Sequence, residues 1–324
     1  MSASADHAAR FATLIREADS VVVGAHVDPD GDAVGSTLGL VLACHSIGIR
    51  AVPVLTSGDS VPEMYAFLPG VDLYRAPEGV HAPDVFVALD TPSFERLGQA
   101  EALARSAREL IVIDHHPDNA HFGTLSIVDP AASSVGAMIW DLLGELDIKP
   151  TAAIATCLYT ALVTDTGRFS YSNTTPHTLH VAADMLEHDV DAQQIFTHVY
   201  ESRSVGTLAL IGRTLERITC VDDGVIAYSW VDDDDFAETG ALKAESENLI
   251  DEVRSLRGAH IVFLMKRSDG LVRVSLRAKG STDVGSVARA FGGGGHAAAA
   301  GFTFQGTVDD LLPALLPALR DVLA

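Results

Sequence analysis

The chain has little of what would place it outside the cell or in a membrane. Its 324 residues include three cysteines, Cys44, Cys157 and Cys220, odd in number and far apart. No disulfide framework is expected, and a reducing, cytoplasmic setting suits them. They read as small buried residues rather than metal ligands. No segment reaches the ~18 consecutive apolar residues of a membrane span. The N-terminal stretch carries Asp6, Arg10, Arg16 and Glu17 on a helical pattern in place of an apolar leader core. Basic residues are scarce: 22 Lys and Arg stand against 44 Asp and Glu, a formal net charge of −22. So acidic a surface repels long polyanions, which argues against a protein that coats duplex DNA and leaves room for short nucleotides held in a pocket. There is no internal repeat and no disordered tail, and the length allows two domains, each with its own core.

The first half alternates two patterns. Apolar runs at Ser20–Ala25, Arg50–Leu55, Asp84–Leu89 and Glu109–Ile113 are separated by helical patterns such as Asp32–Ile47 and Phe94–Ala107. Continuous apolar strands between amphipathic helices indicate an α/β domain with a parallel sheet covered on both faces. Ligands bind outside the carboxyl ends of such strands. Helical patterns follow at Ser134–Leu146, Ala152–Thr164, Pro176–Glu187 and Asp191–Glu216. Near residue 218 the pattern changes to strand Val225–Val231, the acid run Asp232–Asp235, helix Glu245–Leu256, strand Ala259–Lys266, a turn at Ser268-Asp269-Gly270 and strand Val272–Arg277. The expected organisation is a domain over 1–189, a helical connector over 190–218 and a smaller α/β domain over 219–324.

Chemistry concentrates at the strand ends. The run His26-Val27-Asp28-Pro29-Asp30-Gly31-Asp32 follows the first strand with one imidazole and three carboxylates in seven residues. The third strand runs into Asp90, the fourth into Asp114-His115-His116, and Asp165 closes the apolar helical run Leu158–Val163. Hard divalent cations such as Mn²⁺ and Mg²⁺ take carboxylates and an occasional imidazole. A single cation needs two or three protein ligands, and more candidates than that are present, which favours two metals. Two cations ~3.5–4 Å apart can share a carboxylate and a hydroxide that attacks a phosphate. Each residue also has a plainer reading. Asp32 alone reads equally well as the N-cap of the helix it opens, Asp90 as a turn cap, and His115-His116 as surface histidines. Unrelated caps would not be expected to fall in series at the ends of neighbouring strands.

The pattern His-x-x-x-Asp-Gly-Asp-Ala-x-Gly-Ser from His26 to Ser36, Asp90 after a strand, Asp114-His115-His116 and Asp165-Thr166-Gly167 resembles the motifs of the DHH phosphoesterases. Ser275-Leu276-Arg277 and Gly292-Gly293-Gly294-Gly295-His296, with Ala299-Ala300-Gly301 behind them, resemble the DHH-associated C-terminal domain. The length and the glycine-rich segment are similar to the NrnA-type branch, which holds oligoribonucleases, 3′-phosphoadenosine-5′-phosphate phosphatases and cyclic-di-AMP phosphodiesterases. The resemblance implies two divalent cations, Mn²⁺ foremost with Mg²⁺ or Co²⁺ as substitutes. His26 and Asp30 would hold one, Asp32, His115 and Asp165 the other, with Asp90 bridging. Asp114 would orient the neighbouring histidine, and His116 would face the substrate phosphate and protonate the leaving oxygen. Short RNA or an adenine dinucleotide would be the substrate, and a homodimer is compatible with the family. Asp28 stands where the family usually carries Asn.

The second domain has a charge pattern of its own. Between residues 254 and 289 there are eight basic residues and only two acidic ones, Asp269 and Asp283. Such a patch inside an acidic protein is a candidate phosphate collector. Arg277 can grip a phosphate bidentately, with Ser275 and His296 adding hydrogen bonds. Gly293, Gly294 and Gly295 let the backbone approach a ligand. The plain reading of the glycine run is a flexible turn, and that of Asp232–Asp235 a solvated, helix-capping surface. The expected activity is hydrolysis of short nucleotides in a cleft between the domains. The competing readings are an inorganic pyrophosphatase or exopolyphosphatase, which shares the N-terminal motifs, and a non-catalytic nucleotide sensor. A sensor would be expected to have lost ligand positions, and none is missing here.

Overall fold

Each of the four apolar runs of the first half forms a strand, and a fifth joins them. In the computed structural model, which describes residues 3–58, 60–246, 249–268 and 270–323, the strands are β1 (Val21–Gly24), β2 (Ala51–Pro53), β3 (Val85–Leu89), β4 (Glu109–Asp114) and β5 (Leu125–Val128). They form one sheet in the order β2-β1-β3-β4-β5, with every neighbouring pair parallel. Burial follows the two-residue period of a strand. Val85, Val87 and Leu89 of β3 enter one core, and Phe86 and Ala88 the other. β5 has no counterpart among the expected strands; at four residues, only Leu125 fully buried, it lacks the apolar run that marks the others.

The helices of this part are α1 (Ala3–Glu17), α2 (Gly31–Ser46), α3 (Glu101–Ser106), α4 (Val135–Leu143), α5 (Ala152–Asp165), α6 (Pro176–Leu186) and α7 (Ala192–Tyr200). The pattern Phe94–Ala107 gives a 3₁₀ segment, Phe94–Ala100, ahead of α3, because Gly98 sits at φ 50 and breaks the helix. The glycines of α2 matter more for function. Gly31 faces Thr164, Gly35 faces Cys157 and Ala161, and Gly39 faces Leu158. Gly31 at the start of α2 faces Thr164 near the end of α5, and Gly39, two turns on, faces the earlier Leu158, so the two helices run antiparallel. The amino end of α2, with Asp30 and Asp32, therefore lies beside the carboxyl end of α5, with Asp165.

A Cβ on Gly35 would lie 2.4 Å from the Cys157 carbonyl oxygen, backbone that cannot turn aside. Gly35→Ala is expected to cost about 1–3 kcal/mol through overpacking, seen as a loss of several degrees in Tm. A Tm equal to that of the wild type would show that α2 and α5 are not packed at this separation.

The chain divides into two compact units, Met1–Ser202 and Arg203–Ala324. The division falls inside the stretch expected as a helical connector, and the pattern Asp191–Glu216 is two helices, α7 and α8 (Val205–Glu216). Ser204 restarts the chain as an N-cap, its hydroxyl accepting from the Thr207 N–H.

The second unit continues with β6 (Thr219–Val221), β7 (Ile226–Asp232), α9 (Asp233–Thr239), α10 (Leu249–Arg254), β8 (Ile261–Ser268), β9 (Leu271–Ala278), α11 (Val284–Ala290), β10 (Gly294–Gly295), β11 (Ala299–Gln305) and α12 (Val308–Asp321). Its sheet has the order β10-β11-β9-β8-β7-β6 and is antiparallel except between β7 and β8. Glu247 and Asn248 of the expected helix Glu245–Leu256, and Asp269 of the expected turn, lie outside the described residues.

Two expectations need correction. Asp232 caps α9 as foreseen, but Asp235 is buried, not solvated. It pairs with Arg213 and Arg217 and closes the capping box. Among the cysteines, Cys44 and Cys157 are buried and Cys220 is exposed. Among the described residues no helix is long and apolar enough to cross a membrane.

Candidate metal centre

Strands β1, β3 and β4 are neighbours and parallel, so their carboxyl ends share one edge. The chain leaves β1 through Ala25 to His26, leaves β3 straight to Asp90, and ends β4 on Asp114 ahead of His115 and His116. Asp90 lies between the two histidines that flank it. His26 Nε2 is 3.4 Å from Asp90 Oδ2, and His115 Nε2 is 3.6 Å from Asp90 Oδ1. Around this carboxylate the ligand atoms fall into sets within 4.8 Å of one another: His26, Asp30 and Asp90; Asp32, Asp90 and His115; and Asp90, Asp114 and His116. Asp165 Oδ2 is 3.6 Å from His115 Nε2, beside the second set without belonging to a three-residue group.

Backbone contacts fix the aim of both imidazoles. His26 Nδ1 lies 2.8 Å from the Val27 carbonyl oxygen, and His115 Nδ1 lies 3.1 Å from that of Ala132. A ring that donates from Nδ1 presents Nε2 as its lone pair, the usual arrangement of a metal-binding histidine. Asp90 adds a sign of its own. Its Oδ1 is buried and accepts no hydrogen bond, a costly state unless a cation or water completes it. Asp90 also adopts φ 49, a left-handed conformation uncommon outside glycine and tolerated by Asp. Hard oxygen and nitrogen donors around an unsatisfied carboxylate fit a pair of divalent cations.

The roles of Asp30 and Asp32 as caps are exchanged. Asp30, not Asp32, caps α2, its Oδ1 accepting from the Ala33 N–H at 3.0 Å. Asp32 lies in the first turn and reaches across to α4. Its Oδ2 accepts from the Val135 N–H at 2.7 Å, and its Oδ1 from the Gly136 N–H at 2.9 Å and the Ser36 hydroxyl at 2.8 Å. The amino end of α4 thus stabilises a carboxylate from another helix.

Asp114 has spent its carboxylate on its neighbours. Oδ1 accepts from the backbone N–H groups of His115 and His116 and lies 2.8 Å from His116 Nδ1; Oδ2 accepts from Asn119 Nδ2 at 2.6 Å. Asp28 is exposed and belongs to none of the ligand sets. Its φ of 53 and its N–H bond to Ser57 Oγ place it at a left-handed turn position that Asn and Asp both tolerate.

The clustered imidazoles and carboxylates shift one another's pKa values. Burial works to lower the His26 pKa, but the Asp30 and Asp90 carboxylates outweigh it and hold the ring well above its ordinary value. His115 is likewise raised to about 10, burial being overcome by Asp165, Asp90 and Asp32. Burial, with the Asp90 and Asp165 charges, pushes Asp32 up, and burial lifts Asp165 to about 6. Asp90 is drawn down: burial opposes this, but His26, His116 and His115 prevail. Cations entering here must displace those protons.

In the second unit Arg273, Ser275 and Arg277 share the face of β9 opposite Val272, Val274 and Leu276, which enter the core. Arg277 Nε is buried without a hydrogen-bond partner, and the Asp251 carboxylate stands 4.0 Å away. The glycine-rich segment is not a flexible turn. Gly294 and Gly295 pair with Gly301 and Ala300 as β10, and a Cβ on Gly293 would lie 2.1 Å from the Gly301 carbonyl oxygen. The N–H groups of Gly292, Gly293 and His296 already donate to Arg289, Ala288 and Ala299. These glycines serve close strand packing, and those three N–H groups are not presented to a ligand. Across the sheet Ser275 pairs with Gly301, and Gly301 with Gly294, while Arg277 pairs with Ala299. Small residues therefore lie next to Ser275 and Arg277.

Sequence reasoning missed Asn119, which holds Asp114, and Asn173, whose Nδ2 donates to Asp165. Both lie in loops without an apolar period or a charge to single them out.

A covered parallel sheet whose strand ends gather imidazoles and carboxylates around one shared aspartate is the design of a metal-dependent hydrolase of phosphate esters. The chain matches the DHH family, N-terminal domain, over residues 20–162 and the DHHA1 domain over residues 223–324. It is 34% identical over 306 residues to the bifunctional oligoribonuclease and PAP phosphatase NrnA of Thermus thermophilus, covering 94% of this chain and 90% of that protein. A solved exopolyphosphatase-related protein from Bacteroides fragilis superposes with a TM-score of 0.88 at 25% identity, over 98% of this chain and 96% of that one. RecJ from Thermus thermophilus, solved in complex with Mn²⁺, shares the fold at a TM-score of 0.57 and 16% identity, over 97% of this chain and 54% of that one. The chain belongs to the DHH family of phosphoesterases.

Proposed function

We propose that this protein hydrolyses phosphate esters of short nucleotides: nano-RNA, pApA or cyclic-di-AMP, and 3′-phosphoadenosine-5′-phosphate. The observation that carries the reading is Asp90, one buried carboxylate common to three ligand sets, with an oxygen that no hydrogen bond satisfies. His26, Asp30 and Asp90 would hold one divalent cation, and Asp32, Asp90, His115 and Asp165 the other; Mn²⁺ is the first choice, Mg²⁺ or Co²⁺ the substitutes. Such a pair, when bound, supplies Lewis acidity to water and screens the charge of the phosphoryl oxygens.

The remaining work falls to this chain's own groups. Asp114 fixes the tautomer and orientation of His116 through Nδ1, which sets Nε2 as the nitrogen that would pass a proton to the leaving oxygen. Asp32 is held by the amino end of α4, so its carboxylate keeps its place whether or not substrate is present. In the second unit Arg277 would grip a phosphate with its planar fork, with Ser275 and His296 as hydrogen-bonding partners. The segment Gly293-Gly294-Gly295 would keep that surface shallow enough for a nucleotide to lie against it.

The nucleotide reading has support in the NrnA of Thermus thermophilus, whose name gives it both oligoribonuclease and PAP phosphatase activity. Pyrophosphate or polyphosphate hydrolysis is the second reading, favoured by the likeness to the exopolyphosphatase-related protein of Bacteroides fragilis. One assay separates them: phosphate or nucleotide release from a two- to five-residue RNA, pApA, cyclic-di-AMP, 3′-phosphoadenosine-5′-phosphate and pyrophosphate, each with Mn²⁺ and with Mg²⁺. At least one nucleotide is expected to turn over at least tenfold faster than pyrophosphate. Turnover of pyrophosphate alone would sink the nucleotide reading. Tight nucleotide binding with no turnover under any metal would make the protein a sensor.

A further inference from the structure

Four backbone groups within five consecutive residues hold three side chains of the centre. The Ala132 carbonyl meets His115 Nδ1, the Ser133 carbonyl accepts from Asn173, and the Val135 and Gly136 N–H groups donate to Asp32. Ser134 locks the segment as the N-cap of α4, its hydroxyl accepting from the Ala137 N–H at 3.0 Å. The segment 132–136, running from the loop after β5 into the first turn of α4, therefore acts as a single brace for Asp32 and His115. Asp165 comes from elsewhere, at the far end of α5. It is followed by Gly167, Arg168 and Phe169, all left-handed at φ 53, 61 and 62. Such a run, two of its residues not glycine, is strained and persists only where its surroundings fix it.

Asn173 is the side chain that joins these two parts. Its Nδ2 donates to the Ser133 carbonyl at 2.9 Å, to the Asp165 carbonyl at 3.1 Å and to Asp165 Oδ2 at 3.3 Å. Two carbonyl acceptors on one atom fix the amide orientation, because the opposite flip would face oxygen with oxygen. Asn173 Oδ1 is buried and has no hydrogen-bond partner, so the side chain is held by what Nδ2 donates.

We propose that Asn173 is a positioning residue. It ties the segment that orients Asp32 and His115 to the backbone and carboxylate of Asp165, and so sets the spacing of the cation site those three residues form with Asp90. This rests on the reading that Asp32, Asp90, His115 and Asp165 hold a cation, and the test separates the two ideas.

Mn²⁺ is titrated into the full-length chain with unbound Mn²⁺ read by electron paramagnetic resonance, for the wild type, Asn173→Ala, Asn173→Asp and Asp90→Asn, and each apoprotein is melted in chelator. Outer contacts of this kind affect metal affinity by roughly 10–100-fold. Asn173→Ala is expected to weaken one of two Mn²⁺ sites by about that factor and to leave the other within about twofold. Asn173→Asp, close in shape but facing acceptors with an acceptor, is expected to weaken the same site at least as much. Wild-type affinity at both sites in Asn173→Ala, with binding lost in Asp90→Asn, would overturn the inference and leave the metal reading standing. Equal weakening of both sites together with a large drop in the apoprotein Tm would also overturn it, since that marks a general structural role. Undiminished Mn²⁺ binding by Asp90→Asn would overturn the metal reading and this inference with it. If Asn173→Ala shows no cooperative melting, Asn173→Leu, close in size but without a donor, is judged by the same criterion.

Discussion

Asp90→Ala is expected to reduce turnover at least about a thousandfold, roughly 4 kcal/mol of transition-state stabilisation, and to abolish tight binding of the divalent cation pair. The argument is geometric. Asp90 contributes to each of the compact ligand sets of the first unit, and its two oxygens point to different histidines. On the proposed assignment, removing any other ligand would strip one site, whereas removing Asp90 would weaken both. The apoprotein offers a control that is independent of activity. A cation that binds the folded state stabilises it by about 2.7 kcal/mol at a hundred times its Kd. The wild-type Tm should therefore rise with Mn²⁺, and that of Asp90→Ala should not. A variant that retained substantial Mn²⁺-dependent turnover, or a normal Mn²⁺-induced shift in Tm, would refute the two-cation assignment.

Arg277→Ala is expected to act on KM instead. A hydrogen bond to a charged group contributes about 1.5–3 kcal/mol, so KM for a phosphorylated nucleotide should rise by roughly 10–150-fold with kcat changed by less than about threefold. Arg277 Nε is buried and makes no hydrogen bond, the Asp251 carboxylate is 4.0 Å off, and Nη1 donates to the Leu276 carbonyl at 3.1 Å, so the guanidinium is held in place with hydrogen-bonding capacity left over. Arg277→Lys should recover only part of the loss, because an ammonium lacks the planar fork. Equal falls in kcat and kcat/KM would move Arg277 from binding to chemistry. No effect on either would remove it from the substrate surface.

Much of the first unit is legible because parallel strands buried on both faces must be continuously apolar. The runs ending at Ala25, Leu89 and Ile113 announce themselves, and hydrophilic ligand-type residues directly after them stand out. What α2 does is less legible. Asp30 and Asp32 are both acidic and two residues apart, and either could cap the helix. The backbone turns at Asp30, so Asp32 falls inside the first turn and points toward α4. The glycine-rich segment departs from its plain reading for a related reason. A run of glycine signals a need for space or for unusual φ, and the sequence alone cannot tell a mobile loop from a strand pressed against Gly301. The break of the pattern Asp191–Glu216 into α7 and α8 has a sign, Ser204, a strong N-cap in the middle of an apparently continuous helix.

By itself the amino-acid sequence determined the chemistry: hard ligands at the ends of buried strands, an acidic protein with one basic stretch, and motifs carried in order along the chain. Each of those properties is local, written in the identity and spacing of neighbouring residues. Only the tertiary structure decided that Asp90 lies within 3.6 Å of both His26 and His115, that α4 lends its amino end to Asp32, and that Asn173 bridges Ser133 and Asp165. Those depend on groups brought together through space, 103 residues apart for Asp32 and Val135 and 40 for Ser133 and Asn173. No short-range pattern encodes such pairings. They follow from how closely α2 can approach α5, which the glycines at 31, 35 and 39 permit, and from the parallel register that carries three strand ends to one edge.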